Sequence, residues 1–146
     1  MEIALYDIDG QRLEQSAAIL EAINKGNGCP ASIRSYLGAE NRRKALSGAD
    51  FVINAIQVGG YDPCTITDFE IPKKYGLRQT IGDTLGIGGI MRGLRTIPVM
   101  KGITDDMEEL CPNAWLLNYT NPMAIVTGAV LKSSSIKTIG LCQFTY

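Results

Sequence analysis

The chain has 146 residues, a formal charge of −1 and 45% hydrophobic residues, which is about enough for one domain with its own core. The balanced charge gives no electrostatic reason to expect binding to nucleic acid or to an anionic membrane surface. The sequence contains no histidine, so the commonest general base and the commonest metal ligand are both absent from it.

Four cysteines are scattered along the chain without a Cys-x-x-Cys pair or a dense disulfide framework, at Cys29, Cys64, Cys111 and Cys142. This usage predicts free thiols in a reducing compartment, so we expect a cytoplasmic protein. No apolar run approaches the ~20 residues that a membrane-spanning helix needs. The N-terminus also lacks a basic-then-apolar signal pattern. We therefore expect neither a membrane nor a nucleic acid among its partners.

The first predicted element is a short apolar strand within Glu2–Asp9 that ends in two acidic residues. Apolar residues at helical spacing then predict a helix over Arg12–Lys25. A strand that ends in aspartate before a helix is typical of the second strand of a dinucleotide-binding fold, where the acid accepts the ribose hydroxyls. The alternative is that Asp7 and Asp9 only end the strand and cap the helix, and the residues alone do not decide between the two.

An alternating strand is predicted over Ala31–Leu37, followed by one or two helical turns over Glu40–Leu46. The next element, Phe51–Val58, is a continuous apolar run, which is the pattern of a parallel strand buried on both faces. It ends in Gly59-Gly60, and glycines there let a ligand approach the backbone closely. A tight turn after a core strand explains these glycines almost as well.

The segment Tyr61–Ile97 is rich in glycine, aspartate, threonine and arginine, without a GxGxxG or Walker pattern. A long Gly-rich segment inside a compact domain is usually functional or disordered, and the aromatic and apolar residues here argue against disorder. Apolar residues at helical spacing predict a helix from about Ile90 to Leu110, with Pro98 as a kink or an early turn.

The polar turn Asn118–Met123 separates an apolar strand pattern, Ala114–Leu117, from a helix pattern that runs to about Leu131. Such a turn lies at the carboxyl edge of an α/β sheet, where ligands bind. Turn geometry and helix capping are the alternative reasons for its two asparagines. A last short strand, Lys137–Cys142, has a cysteine at its tip, and we expect Trp115 to lie in the core.

Strand–helix units in series predict an α/β fold with an open, Rossmann-like parallel sheet and helices on both faces. A dinucleotide-binding fold begins with a strand and a Gly-rich turn that holds the pyrophosphate, but this sequence begins at what looks like the second strand. We therefore expect residues 1–146 to be a partial dinucleotide-binding domain that lacks that strand and turn. The sequence also ends at what looks like the first active-site strand tip, so we expect the C-terminal catalytic domain to be absent. An exposed strand edge should then favour association.

Six motifs are spread over the chain, at Gln57–Gly60, Asp68–Glu70, Gly76–Thr80, Gly82–Gly86, Gly88–Pro98 and Asn118–Met123. Together they resemble glycoside hydrolase family 4, and the resemblance covers nearly the whole chain. Within that family, Gly60–Thr65 most resembles the α-galactosidase (melibiase) branch. After Cys142 the sequence departs from the family pattern, because Gln143–Tyr146 stand where His-Ser is expected.

The resemblance implies a hydrolase that depends on NAD and on a divalent metal, typically Mn²⁺. Such an enzyme cleaves O-glycosidic bonds by oxidation at sugar C3, elimination and water addition, and not with the paired carboxylates of ordinary glycosidases. It also implies a small-molecule glycoside substrate, a role in carbohydrate metabolism and a homo-oligomer for the full-length family member.

Several alternatives to an α-galactosidase stay open. Specificity for an α-glucoside, an α-galacturonide or a 6-phospho-sugar is one, and a non-catalytic nucleotide-binding or interaction module is another. We expect the fragment to be inactive by itself. An ordinary hydroxyacid dehydrogenase ranks last because its histidine is missing.

The resemblance implies roles for nine residues. The cofactor would be bound by Asp7, Gln57, Val58, Gly59 and Asn118, although Asn118 has the alternative role of ordering the turn. Asn121 would hold sugar hydroxyls, because an amide both donates and accepts hydrogen bonds. Asp83 and Arg92 would be further sugar contacts, with solvated surface charge as the alternative. The Cys142 thiolate would be a metal ligand, with a buried free thiol as the alternative. No catalytic acid or base is assigned.

Overall fold

The computed structural model describes residues 1–28, 30–80 and 84–142. The chain divides into two compact units, Met1–Ala49 and Asp50–Tyr146. Within the described ranges, no helix has both the length and the apolar character needed to cross a membrane.

The first unit is a two-stranded parallel sheet with its connecting helix. It contains β1 (Glu2–Asp7), α1 (Gly10–Gly26), β2 (Ser32–Leu37), a 3₁₀ turn (Ala39–Asn41) and α2 (Arg42–Leu46). The strands pair in register from Glu2 with Ser32 to Asp7 with Leu37. Parallel neighbours need a long crossover, which α1 supplies. Asp9 caps α1 by accepting a hydrogen bond from the backbone N of Arg12 at 3.0 Å. The predicted order of strand, helix and strand is confirmed.

The second unit holds a three-stranded parallel sheet in the order β3-β4-β5. Its elements are β3 (Phe51–Asn54), a helical turn (Gly60–Thr65), α3 (Ile66–Lys74), α4 (Gly86–Leu110), β4 (Trp115–Asn118), α5 (Met123–Ser133) and β5 (Lys137–Gly140). Asn54 pairs with Asn118, and Asn118 pairs with Gly140. The carboxyl ends of the three strands therefore lie level at one edge. Parallel strands joined by helices confirm the predicted Rossmann-like α/β class.

The core of the second unit is built largely from α4, α5 and β4. Met100 and Met107 on α4, Leu116 on β4 and Val126 on α5 are each 0–1% exposed. Methionine fills irregular gaps between packed elements because its side chain is unbranched and flexible. α4 keeps its helical run through Pro98, so the predicted kink or turn at that residue does not end it.

The burial predicted for β3 is wrong. The strand covers Phe51–Asn54 only, and Phe51 and Ile53 are 66% and 70% exposed. These two side chains point to the same face, because side chains alternate along a strand. Among the described strands β3 pairs only with β4.

Two further expectations need correction. Trp115 is 38% exposed and not in the core, because it begins β4 at the sheet surface, with Lys137 Nζ 5.9 Å from its ring centroid. The Gly-rich segment also contains α3, which was not predicted from the spacing of apolar residues. This short helix contains Pro72, and its apolar residues show little helical periodicity. α4 begins at Gly86, ahead of the predicted start at Ile90.

Candidate cofactor and sugar site

Three of the predicted site segments follow neighbouring strands of the second unit. Gln57–Gly59 follow β3, Asn121 follows β4, and Cys142 follows β5. Because β3, β4 and β5 are parallel and adjacent, the segments after them open on the same edge of the sheet. This places the predicted cofactor, sugar and metal segments along one edge.

A buried polar network holds the ends of β3 and β4 together. The Nδ2 of Asn54 donates to Asn118 Oδ1 and to Thr120 Oγ1, each at 2.8 Å. Asn118 Nδ2 donates to Thr127 Oγ1 at 3.1 Å, and Thr120 Oγ1 donates to the carbonyl of Ile56 at 3.0 Å. Asn118 is 0% exposed, with both its amide N and its amide O engaged. This geometry favours the turn-ordering role of Asn118, and its direct contact with a cofactor stays a prediction.

The turn after β3 needs glycine at position 59. Gly59 has a left-handed backbone with φ of 88°, which L side chains rarely adopt. A Cβ built there would lie 2.8 Å from the Cβ of Cys64 and 3.0 Å from Arg95 Nε. The tight-turn explanation for Gly59 is therefore confirmed, while close approach of a ligand to the turn stays a prediction.

The same turn is fixed by side chains from two later segments. Gln57 Nε2 donates to Thr65 Oγ1 at 3.1 Å, and Thr65 Oγ1 donates to the carbonyl of Gly60 at 3.2 Å. Arg95 Nε donates to the carbonyl of Val58 at 3.1 Å. The backbone of residues 57–60 is thus held in one conformation.

Asp7 lies at the carboxyl end of β1 in the first unit. Arg12 donates to both of its carboxylate oxygens, from Nε at 2.5 Å and from a terminal guanidinium nitrogen at 2.6 Å. The backbone N of Asp9 donates to it at 3.0 Å. The side-chain hydrogen bond from Arg12 is the main cause that lowers the pKa of Asp7 to about 2, so the group is ionised at neutral pH. A carboxylate has about four acceptor sites, which leaves room for a ribose hydroxyl beside these three bonds.

The structure describes two of the three predicted sugar contacts, Asn121 and Arg92. Asn121 is half-buried, immediately before the cap residue of α5. Arg92, on α4, is 8% exposed, so the alternative that it is a solvated surface charge is wrong. Asp83 lies outside the described residues. Sugar contact by all three stays a prediction.

Cys142 is an exposed free thiol, so the alternative of a buried thiol is wrong. Across residues 1–28, 30–80 and 84–142, no three His, Cys, Asp or Glu side chains come together as a metal site requires. Divalent cations such as Mn²⁺ favour several oxygen or nitrogen ligands. The residues present therefore fit one ligand of such a site and do not complete it.

Sequence reasoning did not predict the ion pair between Arg95 and Asp68. Arg95 reaches the Asp68 carboxylate with two guanidinium nitrogens, at 2.6 Å and 3.2 Å, and Asp68 is 2% exposed. The two residues are 27 positions apart, on different helices, so no local spacing points to the pair. The sequence signal that could have pointed to them is that Asp68 and Arg95 each lie in a motif of the family resemblance, Asp68–Glu70 and Gly88–Pro98.

A model of the family 4 glycosyl hydrolases matches residues 1–146. An alpha-galactosidase of Bacillus subtilis (strain 168) is 61% identical over 142 residues, which cover 97% of this chain and 32% of that protein. An alpha-galacturonidase of Thermoanaerobacterium saccharolyticum is 38% identical over 142 residues, covering 97% of this chain and 30% of that protein. The chain thus spans about a third of the length of these curated relatives.

A solved structure of a glycosidase also has a similar fold. The 6-phospho-beta glucosidase from Thermotoga maritima, determined with manganese, NAD+ and glucose-6-phosphate, superposes with a TM-score of 0.81. It is 29% identical, and the match covers 97% of this chain and 33% of that one. From the match over its whole length and from these likenesses, the chain belongs to the family 4 glycosyl hydrolases.

Proposed function

We propose that residues 1–146 are the nucleotide-binding part of an NAD- and divalent-metal-dependent α-galactosidase. The observation that carries the proposal is the 61% identity to the Bacillus subtilis alpha-galactosidase over 97% of the chain. The alpha-galacturonidase, at 38% identity, and a probable 6-phospho-beta-glucosidase of Bacillus subtilis, at 50% identity, are less similar. An α-galactoside is therefore the favoured substrate class, ahead of an α-galacturonide or a 6-phospho-sugar.

Asp7 and the segment Gln57–Gly59 would bind NAD. The ionised Asp7 carboxylate suits the ribose hydroxyls, since it is an acceptor at any pH above its pKa of about 2. The complex of the Thermotoga maritima relative with NAD+ and manganese supports both cofactors. When bound, NAD supplies an acceptor for a hydride. Asn121 would orient the sugar by donating to one hydroxyl and accepting from another.

The full reaction is proposed for a protein of the relatives' length. It is hydrolysis of an O-glycosidic bond by oxidation at C3, elimination, water addition and return of the hydride to C3, so that the sugar shows no net change in oxidation state. For the 146 residues we propose binding and orientation without turnover. The sequence has no histidine, and in the described part of the chain no three Cys, Asp or Glu side chains come together as a metal site requires. Self-association and a cytoplasmic location also remain predictions.

A titration and an assay test the proposal. NAD+ is titrated calorimetrically into the purified chain, which is then assayed with p-nitrophenyl α-galactoside, NAD+ and Mn²⁺. We expect saturable NAD+ binding and no release of p-nitrophenol. Absence of binding at millimolar NAD+ would instead favour a non-catalytic interaction module. Turnover that needs both cofactors would show that these residues suffice for the reaction.

A chimera tests the substrate class. Residues 1–146 replace the matching segment of the Bacillus subtilis alpha-galactosidase, and the product is assayed on p-nitrophenyl α-galactoside, α-galacturonide and 6-phospho-β-glucoside. We expect hydrolysis of the α-galactoside that requires NAD+ and Mn²⁺. A chimera that prefers either of the other substrates would contradict the assignment of substrate class.

A further inference from the structure

An ion pair from two helices holds the segment that follows β3. Arg95 on α4 binds both carboxylate oxygens of Asp68 on α3, at 2.6 Å and 3.2 Å. Its Nε also donates to the carbonyl of Val58 at 3.1 Å. One planar guanidinium therefore links two helices to the turn, because its donors are arranged in a rigid fork.

The pair is mostly buried and internally neutral. The Asp68 side chain is 3% exposed and the Arg95 side chain 25% exposed. The hydrogen bond to Asp68 is the main cause that raises the pKa of Arg95, so the guanidinium stays charged. Because Asp68 balances that charge, the pair adds little net attraction for an anionic ligand. Its effect on such a ligand would be geometric.

Two backbone carbonyl groups of the turn accept hydrogen bonds from within the second unit, and one of these bonds comes from Arg95. Val58 O is taken by Arg95 Nε, and Gly60 O is taken by Thr65 Oγ1 at 3.2 Å. Carbonyl oxygens that are hydrogen-bonded inside the unit are not presented to a negatively charged pyrophosphate, which they would repel. Arg95 also packs directly under the turn, since a Cβ at Gly59 would lie 3.0 Å from its Nε.

We propose that Arg95 and Asp68 form a positioning pair that fixes the turn of residues 57–60, and that the affinity for a dinucleotide depends on it. The inference rests on the proposed function, because it takes this turn as part of the NAD site. The pair acts through the backbone of the turn and does not itself touch the cofactor or the sugar. A simple brace between α3 and α4 would stabilise the fold without affecting NAD+ affinity in the folded protein.

The test compares variants of the pair with a matched control on α3. Arg95→Lys keeps the charge but loses the fork, and Asp68→Asn removes the carboxylate. Glu70→Gln breaks the exposed Glu70–Lys73 pair on the same helix and leaves the Arg95–Asp68 pair intact. NAD+ affinity is measured by calorimetry at a temperature where circular dichroism shows each variant to be folded. Because one charge-assisted hydrogen bond is at stake, we expect each pair variant to bind NAD+ about tenfold more weakly. The control should bind like the wild type.

A double variant and a chemical rescue complete the test. Arg95→Lys combined with Asp68→Asn should bind NAD+ no more weakly than either single variant, because both remove the same constraint. Methylguanidinium at low millimolar concentration should restore part of the affinity of Arg95→Ala. If the wild type binds NAD+ and folded Arg95→Lys binds it equally well, the pair is a structural brace and the inference is wrong. If the wild type itself does not bind NAD+, the proposed function fails and this inference fails with it.

Discussion

The hydrogen bonds from Arg12 lower the pKa of the Asp7 carboxylate, which should make the stability of the fold depend on pH. Its pKa is lowered from 3.8 to about 2, so its contribution is complete above pH 3.8 and is lost as the pH falls through about 2. We expect Asp7→Asn to lower the melting temperature at pH 7, and the difference from the wild type to vanish near pH 2. Thermal melts followed by circular dichroism from pH 2 to pH 7 measure this.

The neighbouring acid supplies the control for that experiment. Asp9→Asn should keep the cap of α1, because an amide oxygen also accepts from the backbone N of residue 12. Its melting temperature should follow the wild-type curve. Parallel curves for Asp7→Asn and the wild type over the whole pH range would show that the Asp7–Arg12 pair contributes nothing to stability.

The buried network around Asn118 should be costly to interrupt. Asn118→Ala removes the acceptor of Asn54 Nδ2 and of the Thr120 backbone N, and the donor to Thr127 Oγ1, at a position that is 0% exposed. Each unsatisfied buried group costs about 1–3 kcal/mol, so we expect a loss of at least that size in the free energy of unfolding by urea. Asn113→Ala, in an exposed position, should change stability by less than about 0.5 kcal/mol. Equal stability of the two variants would contradict the importance of the network.

The two asparagines of the turn illustrate what sequence can predict for single residues. Their residue type and their place after a strand predicted a turn with two amides at the edge of the sheet. The position of this turn is confirmed, because it lies between the end of β4 and the start of α5. The sequence did not distinguish the fully buried Asn118 from the half-buried Asn121. The contacts of Asn118 with Asn54, Thr120 and Thr127 depend on the folded turn and on a remote strand, so they leave no local pattern in the sequence.

The start of α4 depends on a glycine packed against another segment. A Cβ at Gly89 would lie 2.7 Å from the backbone carbonyl carbon of Thr84, whereas a Cβ at Gly128 on α5 meets nothing within 4 Å. Replacing helical glycine by alanine favours the helix by about 1 kcal/mol where space allows. We therefore expect Gly128→Ala to stabilise the protein and Gly89→Ala to destabilise it, because backbone must move. Urea denaturation measures both, and stabilisation by Gly89→Ala would show that the Thr84 segment yields easily.

Element prediction succeeded where periodicity was long or repeated. α1, α4 and α5 carry apolar residues at helical spacing over several turns, and each was predicted with ends shifted by a few residues. α3 was missed because one proline and several polar residues hide its period. The apolar run of β3 predicted a strand correctly but not its exposure. An apolar run shows that a strand has side chains suited to burial, but it does not show whether another segment packs against them.

At the scale of the whole molecule, the exposed face of β3 should promote self-association. Phe51 and Ile53 are 66% and 70% exposed on β3. Among the described strands β3 pairs only with β4, and a strand with an unpaired edge can pair with another copy of the chain. We expect Ile53→Lys to shift the sedimentation distribution towards the monomer at high concentration. Ile19→Lys removes an isoleucine that is 60% exposed on α1 and should leave the distribution unchanged. A wild-type chain that sediments as a monomer at all concentrations would contradict this prediction.

Trp115 gives the molecule a built-in optical reporter. It is the only tryptophan of the chain, it begins β4 in the second unit, and it is 38% exposed. Its emission therefore responds to the surroundings of the β3-β4-β5 sheet. Tryptophan fluorescence read alongside far-ultraviolet circular dichroism, which averages over every helix and strand, would separate unfolding of the second unit from that of the chain as a whole. A nucleotide-induced change in that emission, without any added label, would likewise report on the unit that carries residues 57–60.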